Sequence, residues 1–112
     1  MLELNNLTFG SNYQLVEHLK QNNVIKSDLV YYTMLSMDRK NFIPLPPYYV
    51  DKASPIGEGA IISAPHMHAY ALDYLLQALQ RATYVLDVGS GSGYMTMAMA
   101  LLSPKWGKVY GI

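Results

Sequence analysis

The stretch VLDVGSGSGY, residues 85–94, decides the fold. An apolar run stops on an acid, Asp87, and then breaks into alternating glycine and serine. Glycine at every second position gives up side-chain packing for a tight turn and for close approach of something to the main chain. Ahead of the turn, TYVLDV is a continuous apolar run bounded by turn residues, which predicts a strand covered on both faces. Behind it, YMTMAMALL (94–102) is apolar all round and predicts a buried helix, limited by Pro104. GKVYGI (107–112) then reads as one more strand. Strand, glycine turn, buried helix and strand make a βαβ unit, and such crossovers build parallel sheets. The second half of the chain is therefore α/β.

Upstream the pattern is helical. Ser11 precedes NYQLVEHLKQNN, where Leu15, Val16 and Leu19 share a face, and Ser27 with Asp28 opens a second helix carrying Val30, Met34 and Met37. This helix has to end before Pro44, because IPLPPYY places three prolines in four positions, and irregular chain is expected from Phe42 to Gly59. AIISAP reads as a short β-branched run, after which Pro65 opens a helix with an apolar stripe of Leu72, Leu75, Leu76 and Leu79. Residues 1–59 thus form a helical and loop region and residues 60–112 the start of an α/β core, together one domain.

Composition sets the bounds. In 112 residues, eight basic and eight acidic side chains give zero formal net charge, so nothing draws the chain to nucleic acid or anionic lipid. The absence of cysteine excludes a disulfide framework and thiolate metal sites and suits a reducing compartment. The start MLELNN lacks the pattern of a secretory signal, and the longest apolar run is too short for a membrane span. A soluble, cytoplasmic domain is expected. Two parallel strands leave a sheet uncovered, so the sequence also reads as truncated at Ile112, or as completed by another chain or copy.

Three ligand classes compete for a glycine turn at the end of a strand. A P-loop needs lysine and serine or threonine after its last glycine, but Tyr94 follows Gly93. The dinucleotide fingerprint starts at Gly89 and Gly91 and needs its third glycine at position 94, where Tyr94 stands. What remains is acid, x, G-x-G-x-G over Asp87, Gly89, Gly91 and Gly93, which resembles motif I of S-adenosylmethionine-dependent methyltransferases. Glycines admit the methionine end of that ligand, and Asp87 can accept from its ammonium. A flexible linker is the alternative, but linkers do not sit between a strand and a buried helix.

Longer stretches narrow the family. MDRKNF, Tyr49 with Asp51, Ile56 with Gly57, SAPHMHA at Ser63 to Ala69, the glycine turn and GKVYGI occur in the order seen in the protein-L-isoaspartate (D-aspartate) O-methyltransferases, which the chain resembles from about Ser11 to Ile112. The resemblance implies N-terminal helices followed by the first βαβ of a Rossmann-like methyltransferase fold. It also implies methyl transfer from S-adenosylmethionine to the α-carboxylate of L-isoaspartyl residues in damaged proteins, a repair reaction. Carried over residue by residue, Ser63 is the active-site residue, and Ala60, Ile61, Ile62, Ser63, His68 and Val88 to Ser92 (Val88, Gly89, Ser90, Gly91, Ser92) are cofactor contacts, with Asp87 ending the strand. The acid that grips the ribose would follow Ile112, so weak or no cofactor binding is expected of these residues alone. GEGAII departs from the family at Glu58, Gly59 and Ile61, where glutamine or another polar residue and a threonine are usual. Two other functions stay open: a non-catalytic fragment folding against a partner or copy, and a methyltransferase of small molecules.

Individual residues have plainer readings. Ser63 could cap the helix that begins at Pro65. His66 and His68 suggest a metal, yet on a helix they point nearly opposite ways and no third ligand is apparent, so no metal is expected. Met95, Met97 and Met99 have a spacing that could bind copper but read better as core. Tyr31 and Tyr32 read as packing residues with wet hydroxyls. Asp38, Arg39 and Lys40 read by default as a solvated helix end; the resemblance places them in a segment leading to the active site, and no chemical role is assigned to them.

Overall fold

The computed structural model describes residues 7–112, so the reading of MLELNN lies outside the described residues. The elements in order are α1 (Asn12–Gln21), α2 (Asp28–Ser36), a 3₁₀ turn (Arg39–Phe42), β1 (Ser54–Gly57), β2 (Ala60–Ile62), α3 (Pro65–Leu79), β3 (Tyr84–Asp87), α4 (Tyr94–Leu102) and β4 (Lys108–Gly111). Both serine caps form: Ser11 Oγ accepts from the Gln14 amide and Ser27 Oγ from the Val30 amide, each at 3.1 Å. Leu15, Val16 and Leu19 of α1 and Val30 and Met34 of α2 are buried as their spacing requires. Leu72 and Leu79 of α3 join them in one core, with Leu75 and Leu76 packed at its edge. Asp73 on the flank of α3 accepts from the amides of Lys26 and Ser27, at 2.9 and 3.2 Å, which ties the start of α2 to α3.

β3 and β4 pair in parallel, Tyr84 with Lys108 through Asp87 with Gly111, with α4 as the connection. α4 packs against α2, α3 and β4. Three expectations are corrected here. α2 stops at Ser36 because Met37 is extended, and Asp38 Oδ1 caps the 3₁₀ turn by accepting from the Lys40 amide at 3.0 Å. The chain from Phe42 to Gly59 is not wholly irregular, since β1 pairs antiparallel with β2, Ser54 opposite Ile62 and Pro55 opposite Ile61. An edge strand tolerates Pro55, which has no amide to offer a second neighbour. The hairpin turns through Gly57, Glu58 and Gly59, all at positive φ.

The third correction concerns coverage. One face of β3 packs on the helices through Val85, but Tyr84, Leu86 and Val88 on the other are 72%, 61% and 73% exposed. α4 likewise buries Tyr94, Ala98, Met99 and Leu102 and leaves Met97 and Leu101 open. Of the three methionines only Met99 is core; Met95 is half-buried. Among the described residues no helix is long and apolar enough to cross a membrane.

Candidate functional site

Two segments far apart in sequence meet in one cleft. β2 runs into Ile61, Ile62 and Ser63, α3 contributes His68, and the turn after β3 contributes Asp87, Gly89, Ser90, Gly91 and Ser92, with Met95 from the first turn of α4. The cleft measures about 110 Å³. Ala60 and Val88, expected as cofactor contacts, do not line it: Ala60 is exposed on the hairpin and Val88 belongs to the open face of the sheet. The pleat explains Val88, because successive residues of a strand point to opposite faces and Asp87 takes the cleft side.

Glycine is required in the turn. Gly89, Gly91 and Gly93 have φ of 76°, 52° and 84°, a region that L side chains rarely adopt. The turn is also tied to β4, since the Ile112 carbonyl accepts from the amides of Gly89 and Ser90 at 2.9 and 3.0 Å. These two amides are therefore engaged, and the Gly93 amide bonds the Ser90 carbonyl at 2.9 Å. Among the described residues the amides of Gly91 and Ser92 have no protein acceptor. Thr96 Oγ1 donates to Asp87 Oδ2 at 2.7 Å, which orients the carboxylate and leaves Oδ1 as its free acceptor among the described residues.

Ser63 does not cap α3. The N-cap is Ala64, with no side-chain bond, and the cap comes from the loop before β1: Asp51 Oδ1 accepts from the His66 amide at 2.9 Å and meets the His66 ring Nδ1 at 2.8 Å. Ser63 is exposed, and its hydroxyl is not occupied in holding the helix. His66 is thus engaged with Asp51, while His68 is 5% exposed and lies flat on the Tyr94 ring, centroids 4.5 Å apart and planes 10° off parallel. Burial, and secondly the nearby Arg39 charge, hold His68 down to about 4, so its imidazole is neutral at physiological pH. No three metal-ligating side chains cluster among the described residues.

Two residues of the site were not singled out by sequence reasoning. Arg39, expected as part of a solvated helix end, is 2% exposed, and its Nη2 donates to the carbonyls of Ser63 at 3.0 Å and Lys52 at 3.2 Å. Tyr94 entered only as a misfit to the dinucleotide pattern. It is buried between His68 and Phe42, the latter ring edge-on at 5.0 Å, and burial pushes its hydroxyl up to about 12. A charged triplet in a polar segment gives no local signal that its arginine turns inward. A larger groove of about 600 Å³ is lined by Pro44 to Pro47 and by Lys52 to Pro55 and Gly57. It shares no residue with the cleft and offers a single charged side chain, so its size does not make it the site.

Comparison with known proteins identifies the family. The protein-L-isoaspartate(D-aspartate) O-methyltransferase family matches residues 10–112. The chain belongs to this family. It is 47% identical over 103 residues to the protein-L-isoaspartate O-methyltransferase of Caenorhabditis elegans, covering 92% of this chain and 45% of that protein. The wheat (Triticum aestivum) relative is also 47% identical over 103 residues, with 90% and 44% covered. A Plasmodium falciparum crystal structure described as a protein-L-isoaspartate O-methyltransferase in complex with S-adenosyl-L-homocysteine superposes with a TM-score of 0.78 at 42% identity, over 84% of this chain and 43% of that one. The fold is thus the start of the family's Rossmann-like architecture, and the chain spans about 45% of the length of the curated relatives it matches.

Proposed function

We propose that the chain carries the donor site of a protein-L-isoaspartate O-methyltransferase, which transfers a methyl group from S-adenosylmethionine to the α-carboxylate of L-isoaspartyl residues in damaged proteins of the cytoplasm. The observation that carries the reading is the meeting of Ser63 with the Asp87 to Ser92 turn in one cleft. The residues fit the methionine end of that donor. Asp87 Oδ1 is available to an ammonium, the Gly91 and Ser92 amides to a carboxylate, and the glycines leave room for both. At about 110 Å³ the cleft is smaller than the roughly 300–1,000 Å³ of a complete small-molecule site, so these residues hold one end of the ligand only.

The bound donor supplies an already activated methyl group on a sulfonium. An acceptor carboxylate is ionised at neutral pH, so no strong base is required and positioning dominates. Ser63 is the catalytic residue in this reading, its hydroxyl donating to the acceptor carboxylate at the cleft mouth. Ile61 and Ile62 wall the cleft and His68 closes its α3 side. With a donor bound, Ser63 would hold the acceptor oxygen toward the methyl group; the methyl ester so formed would lose methanol as the substrate's own backbone nitrogen closes a succinimide, whose hydrolysis returns some normal aspartate. Ala60 and Val88 lie outside this part of the cleft.

Amide spectra of the ¹⁵N-labelled protein titrated with S-adenosylhomocysteine test the site, since chemical shifts register even millimolar binding. In a polypeptide extended to the relatives' length, movement of Ser63, Gly89, Gly91 and Ser92 is expected, and a titration of that polypeptide to several millimolar that moves none of them refutes the reading. A polypeptide extended to the relatives' length should methylate an isoaspartyl peptide and spare its aspartyl twin, which separates this reading from a small-molecule methyltransferase.

A second proposal rests on the open sheet. Tyr84, Leu86, Val88, Tyr110 and Ile112 are exposed on one face, which Lys108, opposite Tyr84, interrupts at one end. At about 100–150 Å² each, two such faces would bury about 1,000–1,500 Å², within the range of stable interfaces. With zero net charge there is no long-range repulsion, so a polypeptide of these 112 residues pairs with a second copy through this face.

A further inference from the structure

Behind the cleft wall stands a group that the methyl-transfer reading does not yet use. Arg39 is 2% exposed, while the other charged side chains among the described residues sit at or near the surface. Its main-chain amide donates to Asn12 Oδ1 at 3.2 Å, and Asn12 Nδ2 donates in turn to the Met34 carbonyl at 3.0 Å, so α1 and α2 hold the root of the side chain. Its tip donates to the carbonyls of Lys52 and Ser63, at the two ends of the β1–β2 hairpin. Burying a guanidinium is costly unless hydrogen bonds and opposite charges compensate it, and here only Nη2 is bonded while Nε and Nη1 are buried without partners. Here its planar fork joins the loop carrying Ser63 to the helices.

The same charge bears on His68. The His68 Nδ1 is fully buried with no partner, as are Nε and Nη1 of Arg39. An imidazole carries one N–H when neutral, and burying that N–H unpaired costs more than burying an unpaired lone pair. A cation nearby disfavours the proton on the buried nitrogen further. The groups facing His68 are Tyr94 on its ring face, Arg39 from the 3₁₀ turn, and Ser63 and Asp87 along the cleft. None offers the buried Nδ1 a hydrogen bond.

We propose that Arg39 is the positioning residue of this site: it pins the main chain at Ser63 and fixes His68 as the neutral Nε2–H tautomer, so that the nitrogen left to the cleft is a donor. This rests on the methyl-transfer reading for its purpose, since a donor at that wall suits an acceptor carboxylate or the carboxylate end of the methyl donor. The tautomer and the pinning are measurable without it.

Two-bond proton–nitrogen spectra of the histidine rings in the ¹⁵N-labelled chain, assigned with His68→Gln, report tautomer and titration directly. His68 is expected as Nε2–H and unprotonated down to about pH 4. In Arg39→Met its titration rises by about one pH unit, as loss of a neighbouring like charge requires, and the Ser63 and Ala64 amides exchange faster with solvent. An Nδ1–H signal in the unmodified chain overturns the proposal even where Arg39→Met fails to fold. A folded Arg39→Met with unmoved His68 titration and unmoved exchange overturns it equally. Silence of the cleft toward S-adenosylhomocysteine in a polypeptide extended to the relatives' length, with the Nε2–H tautomer and the Arg39 effect both present, defeats the methyltransferase reading and leaves the proposal about Arg39 standing.

Discussion

Gly111 offers a direct test of how β4 holds the donor turn. It sits opposite Asp87 in the parallel ladder, and a Cβ added there would lie 2.7 Å from Thr96 Oγ1, 2.8 Å from Ser90 Cβ and 3.1 Å from Thr96 Cγ2. Thr96 cannot simply turn away, because Oγ1 donates to Asp87 Oδ2 at 2.7 Å, and Ser90 is fixed by its amide bond to the Ile112 carbonyl. Alanine in place of a strand glycine ordinarily stabilises by about 0.5–1 kcal/mol. Overpacking opposes it by about 1–3 kcal/mol, and a displaced Thr96 would also forfeit a charge-assisted bond contributing about 1.5–3 kcal/mol. Gly111→Ala should therefore destabilise by about 2 kcal/mol, roughly 10 °C in Tm for a domain near this size. Urea and thermal melts followed by circular dichroism measure it. Thr96→Ala removes both threonine contacts, so the double variant should recover about 1 kcal/mol relative to additivity. A Gly111→Ala chain as stable as the parent, or a strictly additive pair, would refute the account of the packing between β4, the turn and α4.

His68 and the open sheet give two further expectations. Burial first and the Arg39 charge second lower His68 from 6.5 to about 4, so the unfolded chain binds the extra proton between those values and stability falls as pH drops through that window, by about 3 kcal/mol in all. Urea melts at pH 7, 5.5 and 4 should show this fall, and His68→Gln should flatten it; an unchanged slope in the variant excludes His68 as the source. Sedimentation velocity should show dimers that grow with concentration in the tens-of-micromolar range, abolished by Leu86→Lys with Tyr110→Lys, and a parent chain that stays monomeric throughout removes the sheet face as an interface.

How much of this was legible depends on whether the signal was local. Ser11 and Ser27 announce α1 and α2, because a cap acts within three residues of itself, and both bonds form. The stripe on α3 and the strand, turn, helix and strand order of residues 84–111 are likewise set by neighbours in sequence. β1 was not legible, because Pro55 argues against a strand unless it is known to lie on an edge, which is a property of the sheet. The cap on α3 was misread for a similar reason. Ser63 stands close enough to suggest the duty, but Asp51 performs it from fifteen residues before His66. The apolar run of β3 shows that a strand can be covered, not that these residues cover it; the open face was legible instead from there being only two parallel strands.

At the site the glycines were legible as glycines, and their grouping with Ser63 and His68 came from the resemblance to a family rather than from spacing. The residues that shape the wall were not, and Tyr94 shows why. Read as a departure from the dinucleotide pattern, it excludes one ligand and predicts nothing else. In place, its buried ring stacks on His68 and meets Phe42 edge-on. α4 is thereby joined to α3 and to the 3₁₀ turn on the side of the cleft where Arg39 holds Ser63. The one position that breaks the pyrophosphate fingerprint thus couples the glycine turn to the Ser63 segment, which a phosphate cradle has no need to do. A turn of this kind gains its specificity from what is stacked behind it, and a pattern of glycines alone does not encode that.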